Sequence, residues 1–188
     1  GAAMLLAVLA LPGCGAAEVK LLKTGTASDH ALAPSADAPA PSRELVTLRS
    51  LGHASLIIEQ DGHTLLVDPM LAPRLNGLIS RWKRAPGIDQ LPGHPDAVLI
   101  THAHADHFNP WTLSHINRQT PLVAPQDACD RAADLFDNRR PLVPWQSVAI
   151  GPWTVTAVPA WHPTGRRLRP YDPATTVGYV VQGPGPAV

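Results

Sequence analysis

The sequence lacks an excess of charge of either sign. Its 15 Lys and Arg residues balance 15 Asp and Glu residues, so the formal net charge is zero. A nucleic-acid-binding protein normally shows a basic excess or patch, and this balance argues against that class. Charged residues make up only 16% of the chain, whereas hydrophobic residues make up 45%. A chain of this composition can fill a packed core, which argues against global disorder.

The apolar stretch near the N-terminus is too short to cross a membrane. Residues 2–11 read AAMLLAVLAL, whereas a transmembrane helix needs about 20 residues. The stretch fits the apolar part of a secretory signal, and LPGC at 11–14 resembles a bacterial lipobox in which Cys14 is lipidated. We therefore expect residues 1–14 to be a lipoprotein signal peptide, although no Lys or Arg precedes it. The alternative is a short hydrophobic helix packed on the domain.

Cysteine is scarce and proline is abundant. Of the two cysteines, Cys129 lies in a helix-like stretch and is most simply a small buried hydrophobe. A disulfide between Cys14 and Cys129 is an alternative that the sequence allows. The 21 prolines are about twice the usual share. They favour many loops and turns and argue against a helical bundle.

Residues 15–43 and 44–188 differ in composition. The first segment is rich in Ala, Pro and Ser without amphipathic period, which indicates a flexible tether. The second contains the regular elements of one α/β domain. Strands are predicted at 45–50, 55–60, 63–67, 96–100, 120–125, 147–150, 153–160 and 175–182, and helices at 109–119 and 126–137.

The most informative segment is THAHADH at 101–107, directly after the apolar run AVLI. His102 and His104 are two residues apart, so on an extended backbone both imidazoles can face one ion. Asp106 and His107 follow where the loop bends towards a helix, and they can face a second ion. Imidazole and carboxylate suit zinc, and also manganese or iron. A purely structural metal site is the alternative, but structural zinc sites are closed and usually contain Cys.

This segment resembles the HxHxDH signature of the metallo-β-lactamase superfamily. LGHASLIIEQDGHTLLVDP at 51–69 and VPAWHPTGR at 158–166 are similar to motifs of the branch that includes ascorbate-6-phosphate lactonase and N-acyl-phosphatidylethanolamine phospholipase D. The resemblance covers about residues 45–188. It implies an αββα four-layer sandwich, a site for one or two metal ions and hydrolytic chemistry.

The resemblance also implies roles for individual residues. His102, His104 and His162 would hold the first metal ion, and Asp106 and His107 would belong to the second. Asp106 would also act in catalysis by orienting the attacking water. Further candidates lie around this set: Asp68 as a support for the ligating histidines or a simple turn aspartate, His53 in a direct role or as a hydrogen-bonded turn histidine, and Arg166 and Arg167 as substrate contacts or a solvated cationic loop.

The family pattern has two further ligands, an Asp and a late His. In this sequence no acidic residue follows Asp172 and no His follows His162. We therefore expect the chain to be incomplete at its C-terminus, with a partial sandwich and weak or no turnover as it stands.

The sequence thus predicts a metal-dependent hydrolase, with zinc favoured over manganese and iron. It would be lipid-anchored in the bacterial cell envelope, on its periplasmic or outer surface, and would act on a small-molecule or lipid-derived phosphodiester or lactone. Ala103 and Ala105 differ from the bulkier residues common in that branch, which weakens any transfer of its substrates. A β-lactam is disfavoured because the flanking motifs belong to another branch. The alternative is a non-enzymatic metal-binding envelope lipoprotein.

Overall fold

The computed structural model describes residues 5–8, 46–75, 79–80, 86–160 and 175–183. Within these residues the chain forms twelve strands, two short α-helices and one 3-10 turn. The strands are β1 (Leu5–Val8), β2 (Thr47–Gly52), β3 (Ser55–Gln60), β4 (His63–Val67), β5 (Arg74–Leu75), β6 (Ile79–Ser80), β7 (Ala97–Leu99), β8 (Leu122–Ala124), β9 (Arg139–Pro141), β10 (Ser147–Ile150), β11 (Trp153–Pro159) and β12 (Val177–Gln182). The helices are α1 (Pro110–Leu113) and α2 (Gln126–Arg131), and the 3-10 turn is Ile88–Gln90.

Two sheets carry the fold. One has six strands in the order β2-β3-β4-β7-β8-β9, and the other has four in the order β1-β12-β11-β10. In the six-stranded sheet β2, β3 and β4 are antiparallel, whereas β4, β7, β8 and β9 run parallel to one another. Strands β5 and β6 form a separate ribbon.

The central strands of the six-stranded sheet are buried on both faces. Leu66 and Val98 point into a core shared with the helices, which also contains Phe136. Leu65 and Leu99 point to the opposite face and pack in a second core against the four-stranded sheet. This alternation follows from the period of two along a strand, and it explains why the central strands read as continuous apolar runs. The described layers are therefore helix, sheet and sheet, as expected for an α/β sandwich.

The two sheets are also tied by hydrogen bonds. The hydroxyl of the fully buried Tyr179 donates to the carbonyl of Ile100 at 2.8 Å, with the carbonyl of Val123 at 3.2 Å. Beside it, Thr176 forms an isolated bridge with His102, and the amide of Val177 donates to the carbonyl of Thr101 at 3.0 Å. The start of β12 therefore lies against the segment that carries the predicted metal ligands.

Both helices are shorter than predicted. The helix predicted at 109–119 ends at Leu113, and the chain continues in turns, in one of which the Asn117 side chain accepts a hydrogen bond from the amide of Gln119. Such local bonds of Asn compete with the helix. The helix predicted at 126–137 ends at Arg131 and continues as irregular turns.

Some strands lie where none was predicted. The residues of β9 are all exposed and carry no apolar pattern, so only their pairing with β8 makes them a strand. Strand β1 pairs with β12, in the stretch for which a signal sequence was predicted; that assignment concerns processing and stays a prediction. Within the described part of the chain, no helix is long and apolar enough to cross a membrane.

Candidate metal centre

The candidate residues meet at one edge of the six-stranded sheet. Strands β4 and β7 run parallel, so Asp68 and Thr101, which follow them, leave the sheet at the same end. Strand β3 runs antiparallel to β4, so the turn before it, which contains His53, lies at that end too. Carboxyl ends of parallel strands are common places for binding sites in α/β proteins.

The structure brings the side chains of the HxHxDH segment together. The ring centroids of His102 and His104 are 4.7 Å apart, and those of His102 and His107 are 4.1 Å apart. The loop is folded by a tight turn in which the carbonyl of His104 accepts hydrogen bonds from the amides of His107 and Phe108. This turn places Asp106 between the histidines on either side of it.

Two groups of donor atoms result, and Asp106 belongs to both. One atom each from His102, His104 and Asp106 lie within 4.8 Å of one another, and so do atoms from His53, Asp106 and His107. The sequence predicted Asp106 only for the second group. A carboxylate has two oxygens and can therefore contact two neighbouring cations.

Asp68 accepts hydrogen bonds from two residues of the THAHADH segment, Thr101 and His107. It is buried, and its backbone has a φ of 43°, in the left-handed region that Asp tolerates better than most residues. Its Oδ2 accepts hydrogen bonds from Nδ1 of His107 at 2.8 Å and from Oγ1 of Thr101 at 2.7 Å, and its Oδ1 accepts from the Thr101 amide at 2.8 Å. These bonds connect Asp68 to His107 and Thr101, and its role as a support for metal-ligating histidines stays a prediction.

Thr101 extends this support to His102, and the sequence reasoning missed it. The Thr101 hydroxyl has one hydrogen, which it donates to Asp68. Its oxygen, 3.0 Å from Nδ1 of His102, therefore accepts a hydrogen bond from that nitrogen. The proton on Nδ1 leaves Nε2 as the lone-pair nitrogen, the form that binds a metal. The only sequence signal was the position of Thr101 directly before the first histidine.

The charges at the site reinforce one another. Burial alone raises the pKa of Asp106, but the hydrogen bond from His53 and the charge of His107 outweigh it, so this pKa lies below its usual value. Burial alone lowers the pKa of His107, but the hydrogen bond to Asp68 and the charges of Asp68 and Asp106 raise it above its usual value. Asp106 is therefore an anion at neutral pH and attracts cations to the site.

His53 contacts the cluster directly. Its Nε2 is 3.1 Å from Oδ2 of Asp106, and its ring centroid is 5.9 Å from that of His107. The sequence left a direct role and a turn role equally open. The backbone of His53 has a φ of 55°, next to Gly52 with a φ of 84°, so this turn could not be inferred from strand periodicity.

Four predicted residues, Cys14, His162, Arg166 and Arg167, lie outside the described residues. The chain before His162 is described as far as Ala160. Strand β11 ends at Pro159, which pairs with Val177, and the neighbouring Thr176 pairs with His102. The described chain therefore stops at the edge that carries the cluster, two residues before His162.

The donor set fits a divalent transition-metal ion. The described candidate ligands offer imidazole nitrogens and a carboxylate oxygen, the ligands that zinc, manganese and iron accept. Asp68 and Thr101 fix the Nδ1 sides of His107 and His102, as the outer hydrogen bonds of metal-ligating histidines do. The one described thiol, Cys129, is buried in the helix-side core away from the cluster.

Two stacked sheets with helices outside and a His/Asp cluster at the strand edge define a metallo-β-lactamase-type fold. The chain belongs to the beta-lactamase superfamily domain family, whose sequence profile matches residues 63–188. A "UPF0173 metal-dependent hydrolase" of Deinococcus radiodurans is 27% identical over 124 residues, which are 63% of this chain and 49% of the relative. The chain thus spans about half the length of that curated relative.

Two solved structures share the fold. The "diiron beta-hydroxylase" CmlA of Streptomyces venezuelae aligns with a TM-score of 0.54 and 24% identity, over 76% of this chain and 28% of that protein. An "isothiocyanate hydrolase" from Delia radicum gut bacteria aligns with a TM-score of 0.53 and 21% identity, over 74% of this chain and 58% of that protein. At these identities the likeness concerns the fold alone.

Proposed function

We propose that the protein is a metal-dependent hydrolase whose first metal ion is held by His102, His104 and His162, with the carboxylate of Asp106 beside it. The observation that carries this proposal is the convergence of donor atoms from His102, His104 and Asp106 within 4.8 Å of one another. A bound divalent ion would supply Lewis-acid activation of water, whose pKa it lowers to about 7, and polarisation of the substrate oxygen. The hydrolase name of the Deinococcus relative agrees with this proposal.

Asp106 would orient the attacking water. Its lowered pKa makes it a weak base, so it accepts a hydrogen bond at neutral pH without taking the proton. Its side chain is 38% exposed, so water reaches it. Asp68 and Thr101 would hold His107 and His102 in the tautomers that bind metal.

His162 is included because the described chain ends beside the cluster. Ala160 directly follows Pro159, the residue of β11 that pairs with Val177. His162 is two residues after Ala160 in the sequence, and two residues of extended chain span up to about 7 Å. A third histidine would complete a site that leaves a position open for water.

The metal would be zinc, with manganese or iron as the other candidates. CmlA, which shares the fold, is named a diiron enzyme, so iron stays among the candidate metals. Metal analysis of the purified protein by inductively coupled plasma mass spectrometry identifies the ion.

The substrate would be a phosphodiester or a lactone of a small molecule or lipid. Arg166 and Arg167 would contact its phosphate or carboxylate, since guanidinium groups bind such anions in a bidentate way. The argument for this class is the resemblance of 51–69 and 158–166 to the phosphodiesterase and lactonase branch.

The test is hydrolysis of bis(p-nitrophenyl) phosphate and a panel of lactones by the full-length protein and its variants. We expect His102→Ala to abolish turnover and Asp106→Asn to lower kcat by about 10²–10⁴-fold. His94→Ala is the matched control, because this histidine is exposed outside the site, and it should leave the rate unchanged. Bound metal with rates unaffected by His102→Ala and Asp106→Asn would favour the non-enzymatic metal-binding lipoprotein instead.

We also propose that Cys14 anchors the protein in the bacterial cell envelope. The support is the lipobox-like LPGC segment at 11–14, which begins with the last residue of the apolar stretch 2–11. Cells fed labelled palmitate should label the wild-type protein but not Cys14→Ser. Label that persists in Cys14→Ser would contradict the anchor.

A further inference from the structure

We propose that His53 is a direct ligand of a second divalent transition-metal ion, which it would hold together with Asp106 and His107. This inference rests on the proposed function, since it concerns the second ion of the same centre. It assigns to the turn before β3 a ligand that the HxHxDH segment does not contain.

The distances between donor atoms match a shared ion. Nε2 of His53 and Nε2 of His107 lie 3.1 Å and 3.6 Å from the same oxygen, Oδ2 of Asp106. Two ligands of a tetrahedral ion with bonds of about 2.0–2.2 Å are about 3.3–3.6 Å apart. The donor atoms of the three residues all lie within 4.8 Å of one another, so one ion can reach them after small side-chain shifts.

The nitrogen of His107 that faces this group is the correct one. Its Nδ1 is bonded to Oδ2 of Asp68 at 2.8 Å, so Nδ1 carries the proton when Asp68 is a carboxylate. Nε2 is then the nitrogen available to a cation, and it is the atom that points at Asp106. A carboxylate–histidine pair behind a ligating nitrogen is the usual support of a metal-bound imidazole.

The position of His53 favours a ligand over a turn residue that only fills space. Its side chain is 29% exposed, so it is not part of either core. The described contacts of its ring are with Asp106 and His107. Its hydrogen bond to Asp106 occupies the place that an ion bridging the two residues would take.

The test separates a ligand from a residue that merely positions Asp106. In His53→Asn the amide keeps a hydrogen-bond donor in the turn, and Asn tolerates the left-handed backbone better than Ala. We expect the wild-type full chain to bind two equivalents of Co²⁺ in titrations followed by visible d–d absorption and elemental analysis. His53→Asn should bind one equivalent at the same free Co²⁺, whereas the control His94→Asn should bind two.

A second measurement uses the wild-type protein and does not depend on how a variant folds. Protein labelled with ¹⁵N-histidine and loaded with ¹¹³Cd²⁺ should show a ¹⁵N–¹¹³Cd scalar coupling at Nε2 of His53. This signal is identified as the coupled signal that is missing from His53→Asn. If that variant does not fold, sequential assignment of the wild type identifies it.

The outcomes are distinct for the two proposals. Two equivalents of unchanged affinity in His53→Asn, or a His53 Nε2 that keeps its proton in the cadmium-loaded protein, would overturn the ligand role. Wild-type protein that binds only one equivalent of Co²⁺ and still hydrolyses its substrate would overturn this inference alone. Wild-type protein that binds no metal would overturn both.

Discussion

At the scale of single residues, the candidate metal ligands His102 and His107 are hydrogen-bonded to side chains outside the two groups of donor atoms. Asp68 receives hydrogen bonds from His107 and Thr101, and Thr101 in turn receives one from His102. This chain fixes two imidazoles through one buried carboxylate. Outer hydrogen bonds of this kind typically matter by about 10–100-fold in metal affinity or activity.

Replacing Thr101 with Val tests this series of hydrogen bonds. The change removes the acceptor for Nδ1 of His102 and one donor to Asp68 without altering the size of the side chain much. We expect metal affinity to fall by about 10–100-fold, measured by competition with a chelator of known affinity. Thr47→Val on the exposed face of β2 is the matched control and should not change affinity. Equal affinities for Thr101→Val and wild type would contradict the role of the hydroxyl.

Much of the candidate site could be predicted from the sequence at this scale, and some of it could not. His102, His104, Asp106 and His107 were predicted to share one place because they follow a buried strand, and the structure brings them together. The contribution of Thr101 was missed because it depends on the rotamer of a hydroxyl. The place of His53 beside Asp106 depends on two consecutive residues with positive φ, which no periodicity reveals.

At the scale of the elements, strands were easier to predict than helices. Strands β3 and β4 have the predicted bounds, because apolar β-branched and Leu residues and a DG turn mark them. The two helices were predicted too long, since their apolar spacing continues into turns stabilised by side-chain bonds such as that of Asn117. Strand β9 carries no apolar signal, so only its neighbour β8 specifies it.

Helix α2 supplies a prediction through Cys129, which it buries in the helix-side core. Burial raises the pKa of this thiol from 9.0 to about 11. The folded protein thus holds the thiol proton more tightly than the unfolded chain, so this contribution to stability is complete below pH 9.0 and is lost as pH rises through about 11.

We therefore expect the free energy of unfolding to fall above pH 9.0 and iodoacetamide to leave Cys129 unlabelled at pH 8, because the thiol is buried and protonated. Urea denaturation across pH and peptide mapping of the alkylated protein measure these effects. Cys129→Ala should remove this part of the pH dependence, and unfolded protein should label fully. Rapid labelling of native Cys129 would contradict its burial.

At the scale of the whole molecule, the site exists because two sheets meet at one edge. Strand β12 brings Thr176 against His102, and Tyr179 ties it to the six-stranded sheet through the carbonyl of Ile100. Complete burial raises the pKa of Tyr179 well above its usual value, so its hydroxyl keeps the proton that it donates. The packing of the sheets and the geometry of the centre are therefore linked.

Tyr179→Phe tests this link. The change removes the hydroxyl but keeps the ring in the core, so the free energy of unfolding should fall by about 0.5–1.5 kcal/mol. Urea denaturation followed by far-ultraviolet circular dichroism and by tryptophan fluorescence measures it. Both probes should shift together if the sheets unfold as one unit. An unchanged midpoint would show that the hydroxyl does not hold the sheets together.

The most direct test of the account is the place where a metal ion binds. Crystals of the full chain grown with zinc, with data collected at the zinc absorption edge, locate the ion by its anomalous scattering. We predict a peak at about 2.0–2.2 Å from imidazole nitrogens of His102 and His104, next to the carboxylate of Asp106. A peak elsewhere on the molecule, or no peak in this cluster at saturating zinc, would contradict the central claim.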